Sequence, residues 1–204
     1  MTNSIISYIT SFVTILTVTA FCQDIDKLHE EANKLYNEGN PDSAEVKLKI
    51  VVDADNTYHE SHYLLSQIYL NRYDLENSRK HLTKAIEADK TNQTYREEFE
   101  RINKVASDFA MAKRKFDNGD FYGAIDEFRT LSEKYINFAP KALYFMGVAA
   151  NREEEISEAA GYLQHALELD PNYQEANNYL NKLASKKYNE ANQLVRRGDY
   201  EEAK

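Results

Sequence analysis

The chain has 204 residues, 42% hydrophobic and 29% charged, with a formal net charge of -9, six Gly, three Pro, one Cys and no Trp. The apolar fraction excludes a disordered chain, and a mean hydropathy of -0.69 excludes a polytopic membrane protein. One Cys excludes a disulfide scaffold and a structural Cys-based zinc site, and the acidic balance argues against a nucleic-acid partner.

Residues 1–23 contain no Lys, Arg, Asp or Glu, and within them an apolar run extends from Ile5 to Phe21, diluted by six Ser and Thr. A secretory signal peptide, a membrane anchor and a buried helix compete for this run. It is short and polar for a stable span. Ala20 and Cys22 are small residues at -3 and -1 of a cleavage point after Cys22. The expectation is a signal peptide over 1–22, cleaved after Cys22, with a lipid on Cys22 as the lesser alternative.

From Ile25 onward the sequence repeats with a 34-residue unit. Positions 8, 20, 24 and 27 hold Ala32, Ala44, Leu48 and Val51, then Ser66, Ser78, Leu82 and Ala85. Units starting at Val105 and Pro140 place Ala112, Ala124, Phe128 and Leu131, then Gly147, Ala159, Leu163 and Ala166, in the same slots. Position 15 holds Gly39, Tyr73, Gly119 and Glu154, and a partial unit adds Gly198. Small residues at 8, 20 and 27 let paired helices approach, and large ones at 24 fill the gaps. The glycines suit left-handed helix ends, while Asn40, Asp120 and Asp199 suit N-caps, with Pro41 at the first helical position.

This pattern resembles the tetratricopeptide repeat (TPR), most closely in "AAGYLQHALELDPNY" and "RRGDYEEAK". The resemblance implies an all-α, right-handed superhelical solenoid of helix hairpins whose first helices line a concave groove.

A longer period overlies the repeat, since Gly39, Gly119 and Gly198 are 80 and 79 residues apart. Tyr95, Phe99, Ile102, Phe109 and Phe116 fall on one helical stripe without Gly or Pro between Asn92 and Asn118, and the segment from Tyr173 to Val195 behaves likewise. Long shared helices should therefore link the repeat pairs. The expected organisation is a first TPR pair over 23–91, a linking helix and second pair over 92–171, and the start of a third block over 172–204.

Motifs for chemistry are few. His59-x-x-His62 places two His one turn apart but lacks a third ligand, and reads as a pair of helix-surface histidines; His29, His81 and His165 read as isolated. Acidic runs such as Arg96-Glu-Glu98 and Arg152-Glu-Glu-Glu155 read as solvated faces. No phosphate-binding loop or nucleophile elbow occurs, so no catalytic residue, metal or cofactor is expected.

Mapping the groove positions of the resemblance gives Asn33, Tyr63, Gln67, Phe109, Lys113, Tyr144 and Arg152 as partner-binding residues. Phe109, Lys113, Tyr144 and Arg152 would combine two aromatic anchors with two cations. A cochaperone-type carboxylate clamp is not expected, because His29 stands where its Lys would be. The resemblance implies a non-catalytic protein–protein interaction scaffold, exported to the periplasm or outer envelope, with a protein or peptide partner, no nucleic acid, and membrane contact only through the signal segment if it stays uncleaved. The alternative is a docking or regulatory region of a longer exported enzyme or peptidoglycan-binding protein, whose active domain follows residue 204.

Overall fold

A computed structural model describes residues 24–199, and the expected signal peptide, its cleavage after Cys22 and residues 200–204 lie outside them. The described residues form nine α-helices and one 3-10 turn, with no strand among them. The helices are α1 (24–37), α2 (Pro41–Ala54), α3 (His59–Asn71), α4 (Leu75–Ala88), α5 (Gln93–Asp117), α6 (Phe121–Lys134), α7 (Ala139–Arg152), α8 (Ile156–Leu169) and α9 (Gln174–Arg197), with the 3-10 turn Ile136–Phe138 before α7. The two long stripes in the sequence are α5, with 25 residues, and α9, with 24. None of the described helices is long and apolar enough to cross a membrane.

The chain divides into two compact units, the first ending at Ile102 and the second beginning at Asn103, so the division falls inside α5. In the first unit Ala32, Ala44, Leu48, Val52, Leu64, Leu65 and Ile68 form one core cluster, and Leu82, Ala85, Tyr95 and Ile102 form another. In the second unit Phe128, Leu163, Met146 and Ile125 are buried with the alanines of the small slots. The repeat register accounts for this burial. Ala32, Ala44, Ala85, Ala112, Ala124, Ala159 and Ala166 are all fully excluded from solvent, as are Leu48, Leu82, Phe128 and Leu163 at position 24. Burying each of these large side chains contributes about 1.5–3 kcal/mol.

Helix ends follow the turn chemistry. At five helix ends one residue has a positive φ, and the same two backbone bonds close the helix: for Gly39, its N–H donates to Tyr36 O and the next N–H, of Asn40, to Leu35 O. These bonds satisfy carbonyls that the helix leaves without partners. Asp120 caps α6, its Oδ1 accepting from Gly123 N at 3.0 Å, and Asp74 caps α4 through Asn77 N at 3.0 Å. Asn40 occupies the N-cap of α2 without a side-chain bond, and there Pro41 supplies the preset φ instead.

The connections between hairpins carry a different device. Asp55, Asp89 and Asp170 each end a helix and accept, through a carboxylate oxygen, the N–H two residues on, at 2.8, 3.0 and 3.1 Å. These are Asx turns, which reverse the chain without a glycine.

Candidate partner-binding face

In the first unit the first helices of the hairpins bring together a set of half-exposed polar and aromatic side chains. Tyr63 on α3 stacks on Tyr95 of α5 with ring centroids 4.8 Å apart, and burial pushes its phenol above the usual tyrosine range. One turn on, Gln67 Nε2 donates to Glu98 Oε1 at 3.4 Å. Arg101 donates from Nε and Nη2 to the two oxygens of the same carboxylate, at 2.8 and 2.6 Å. That fork, with its hydrogen bonds first and its charge second, holds the Glu98 carboxyl below its ordinary range. A further turn along α3, Asn71 Nδ2 donates to Tyr36 OH of α1 at 3.0 Å. Asn33 is exposed on α1, and Asn37 Nδ2 donates to its Oδ1 at 3.4 Å.

In the second unit the corresponding helices are richer in rings. Tyr144 of α7 meets Tyr173 and Tyr179 nearly edge-on, at 5.6 and 6.0 Å between centroids, and burial again raises its phenol pKa. Tyr179 OH accepts from Asn151 Nδ2 at 2.9 Å, and Lys182 Nζ lies 6.0 Å above the Tyr179 ring. Lys113 pairs with Asp117 and lies 5.4 Å above the Phe116 ring. Arg152 is exposed in the last turn of α7. Phe109 has a different setting. Its half-buried ring lies 5.5, 5.7 and 5.3 Å from those of Phe128, Phe138 and Phe145. The apolar stripe of α5 turns this position toward α6 and α7.

The histidines correct the sequence expectation. His62 is only 3% exposed, so it is not a surface residue, and His81 is not isolated: their Nδ1 atoms lie 3.0 Å apart between α3 and α4. His29 Nδ1 is 2.8 Å from Ser61 Oγ, and His59 Nδ1 is 3.0 Å from Tyr95 OH. The acidic run at Arg96-Glu-Glu98 is likewise not wholly solvated, because Glu98 is half-buried under Gln67 and Arg101. Among the described residues, no group of three or more His, Cys, Asp and Glu is arranged to hold a metal ion.

The groove mapping does not name Tyr36, Asn71, Glu98, Arg101, Asn151, Tyr179 or Lys182, which the structure adds to the two sets. The Glu98-x-x-Arg101 spacing was a usable signal, since residues three apart are neighbours on a helix surface. The cross-helix bonds of Asn71 and Tyr179 leave no trace in a single helix.

The tetratricopeptide repeat family matches residues 109–174, and in a second form residues 59–92. No curated protein matches the chain. Among solved structures, PilF of Pseudomonas aeruginosa is 13% identical, with 91% of this chain and 78% of that one covered at a TM-score of 0.38. YrrB, described as a TPR protein with an unusual peptide-binding site, is 16% identical over 78% of this chain and 97% of its own, at 0.35. The first TPR of Spaghetti (RPAP3), solved with an HSP90 peptide, is 19% identical over 80% and 93%, at 0.30. Residues 59–92 and 109–174, whose small slots are buried in register, are therefore tetratricopeptide repeats.

Proposed function

We propose that this chain is a non-catalytic interaction scaffold that takes a partner peptide or helix on the face of its first helices. The observation that carries this reading is the lattice of Tyr36, Tyr63, Gln67, Asn71, Glu98 and Arg101 in the first unit. Each of these side chains is already positioned by another, so little rotamer freedom remains to be lost when a partner arrives. Tyrosine and arginine are also the residue types that dominate binding energy at interfaces. The Tyr144–Tyr179–Lys182 group offers the second unit a similar surface. The uncharged stretch 1–23 supports export, with cleavage after Cys22 favoured over a lipid there, and a place in the periplasm or outer envelope.

Cross-linking and pull-down identify the partner, and titration calorimetry then measures variants against it. Tyr63→Ala, Arg101→Ala and Tyr144→Ala should each weaken binding by about 1–3 kcal/mol with helicity unchanged. Val46→Ser, on an exposed part of the second helix α2, should bind normally. Normal binding by the first three variants, with loss in Val46→Ser, overturns the assignment of the face.

A further inference from the structure

Four of the five histidines lie in the first unit; His59 and His62 belong to the opening turn of α3, and His29 reaches it through Ser61. His62 and His81 are set apart by having their ring nitrogens face each other. The bonds around them fix the protons. His62 Nε2 lies 3.2 Å from the Asn56 carbonyl oxygen, which can only accept, so Nε2 carries the hydrogen. In the neutral ring Nδ1 is then an acceptor, and His81 Nδ1 must donate to it across the 3.0 Å gap. The His81 ring lies flat on Tyr69, 5.4 Å between centroids and 12° from parallel, which holds it in this orientation.

The arrangement accepts protons poorly. A first added proton leaves a charge between two helices. Lys84 and Lys80 of α4 and Lys49 of α2 oppose that charge, while Asp55 before α3, Glu87 of α4 and Glu45 of α2 offset it only in part. A second proton sets two N–H donors against each other, and the bond is lost. Burial, and for His81 the neighbouring His62, depress both imidazoles, His81 to about 4.

We infer that the His62–His81 pair is an acid-sensitive latch that holds the opening turn of α3 to α4 at neutral pH and loosens under mild acid, because the opened rings take up protons that the closed pair refuses. The second ring contact at this turn, His29 of α1, is flanked by Glu60, Asp26 and Glu30, and His59 lies 3.3 Å from Glu60 Oε2. Burial outweighs these carboxylates at His29 and depresses it too, so the variant without the His62–His81 pair is what separates the latch from His29. Because α3 carries Tyr63, Gln67 and Asn71, release would also disorganise the proposed binding face. That last step rests on the proposed function, whereas the latch itself does not.

Hydrogen exchange on the whole protein, corrected for the intrinsic pH dependence of exchange, tests it without any partner. Between about pH 7.5 and pH 5, protection of the amides of residues 62–68 should fall by about tenfold, with α7 unaffected. In a His62→Gln, His81→Phe double variant, the new side-chain amide would still donate to the Asn56 carbonyl and the new phenyl ring would remain on Tyr69. Protection there should change less than about twofold. The exposed His165→Gln should behave as the unmodified chain. Flat protection in the unmodified chain, or an equal fall in the double variant, overturns the latch. If the double variant does not fold, imidazole nitrogen shifts in the unmodified chain decide. His62 should show the Nε2–H tautomer, His81 the Nδ1–H tautomer, and both should titrate below the ordinary 6.5. Other tautomers, or midpoints at or above 6.5, overturn it.

Discussion

Tyr73 and Glu154 stand at φ of 60° and 64°, where Gly39, Gly119 and Gly198 take 81°, 81° and 86°. A left-handed conformation costs a residue with a Cβ about 1–2 kcal/mol, yet the backbone bonds at these two turns are the same as at the glycines. Tyr73 N–H donates to Leu70 O, and Glu154 N–H to Asn151 O. Packing of the hairpins therefore sets the turn, and the residue in it conforms. Glu154 is exposed, so little is lost with its side chain. Glu154→Gly should raise stability by about 0.5–1 kcal/mol, the relief of strain being offset in part by the greater freedom of an unfolded glycine. An unchanged or lower midpoint in chemical denaturation would show that the Glu154 side chain has a stabilising role. The register made this position legible even though its usual residue was missing.

At the scale of helices, the distance between α7 and α8 is set by a missing methyl group. A Cβ on Gly147 would lie 2.8 Å from Leu163 Cγ and 3.0 Å from the Ala159 carbonyl oxygen, both closer than ordinary contact. Gly147→Ala should therefore destabilise the second unit by about 1–3 kcal/mol, despite the better helix propensity of alanine. A rise in the denaturation midpoint would mean that the two helices can separate freely. The small slots were readable because they depend on one helix's own period. The imidazole pair and the Tyr179–Asn151 bond were not, because they join residues 19 and 28 apart whose meeting depends on which helix packs on which. Phe109 shows the same limit: its position in the repeat marks a groove anchor, and the three phenylalanine rings around this half-buried ring could not be read from one helix.

For the molecule as a whole, the response to acid divides into two ranges. Burial raises the Glu45 carboxyl, but hydrogen bonds from Lys49, Arg72 and Tyr69 outweigh it and bring the pKa from 4.5 to about 2. A carboxyl depressed in the fold contributes stability that is complete above its unfolded pKa and is lost as pH falls through the folded one. This contribution should therefore disappear between 4.5 and about 2. His81, depressed from 6.5 to about 4, has the same sign: its neutral form is favoured by the fold, and stability declines as pH drops through that interval. Thermal midpoints taken from pH 7 downward should fall in two stages, and Glu45→Gln should reduce the loss in the lower one. A single stage, or an unaltered lower stage in Glu45→Gln, contradicts this assignment. The connections between hairpins have a further consequence, for cleavage. Three of the four are held by an Asp side chain, whereas α6 passes to α7 through the 3-10 turn Ile136–Phe138, where Ile136 is 77% exposed. A protease must draw several residues of extended chain into its cleft, and a loop whose backbone N–H groups have no Asp brace, and which is tied only through Tyr135 OH to Asp108 and the buried Phe138, yields them more readily. Chymotrypsin, offered the many aromatic residues of this chain, should make its first cut after Tyr135, leaving two fragments that remain associated until denaturant is added.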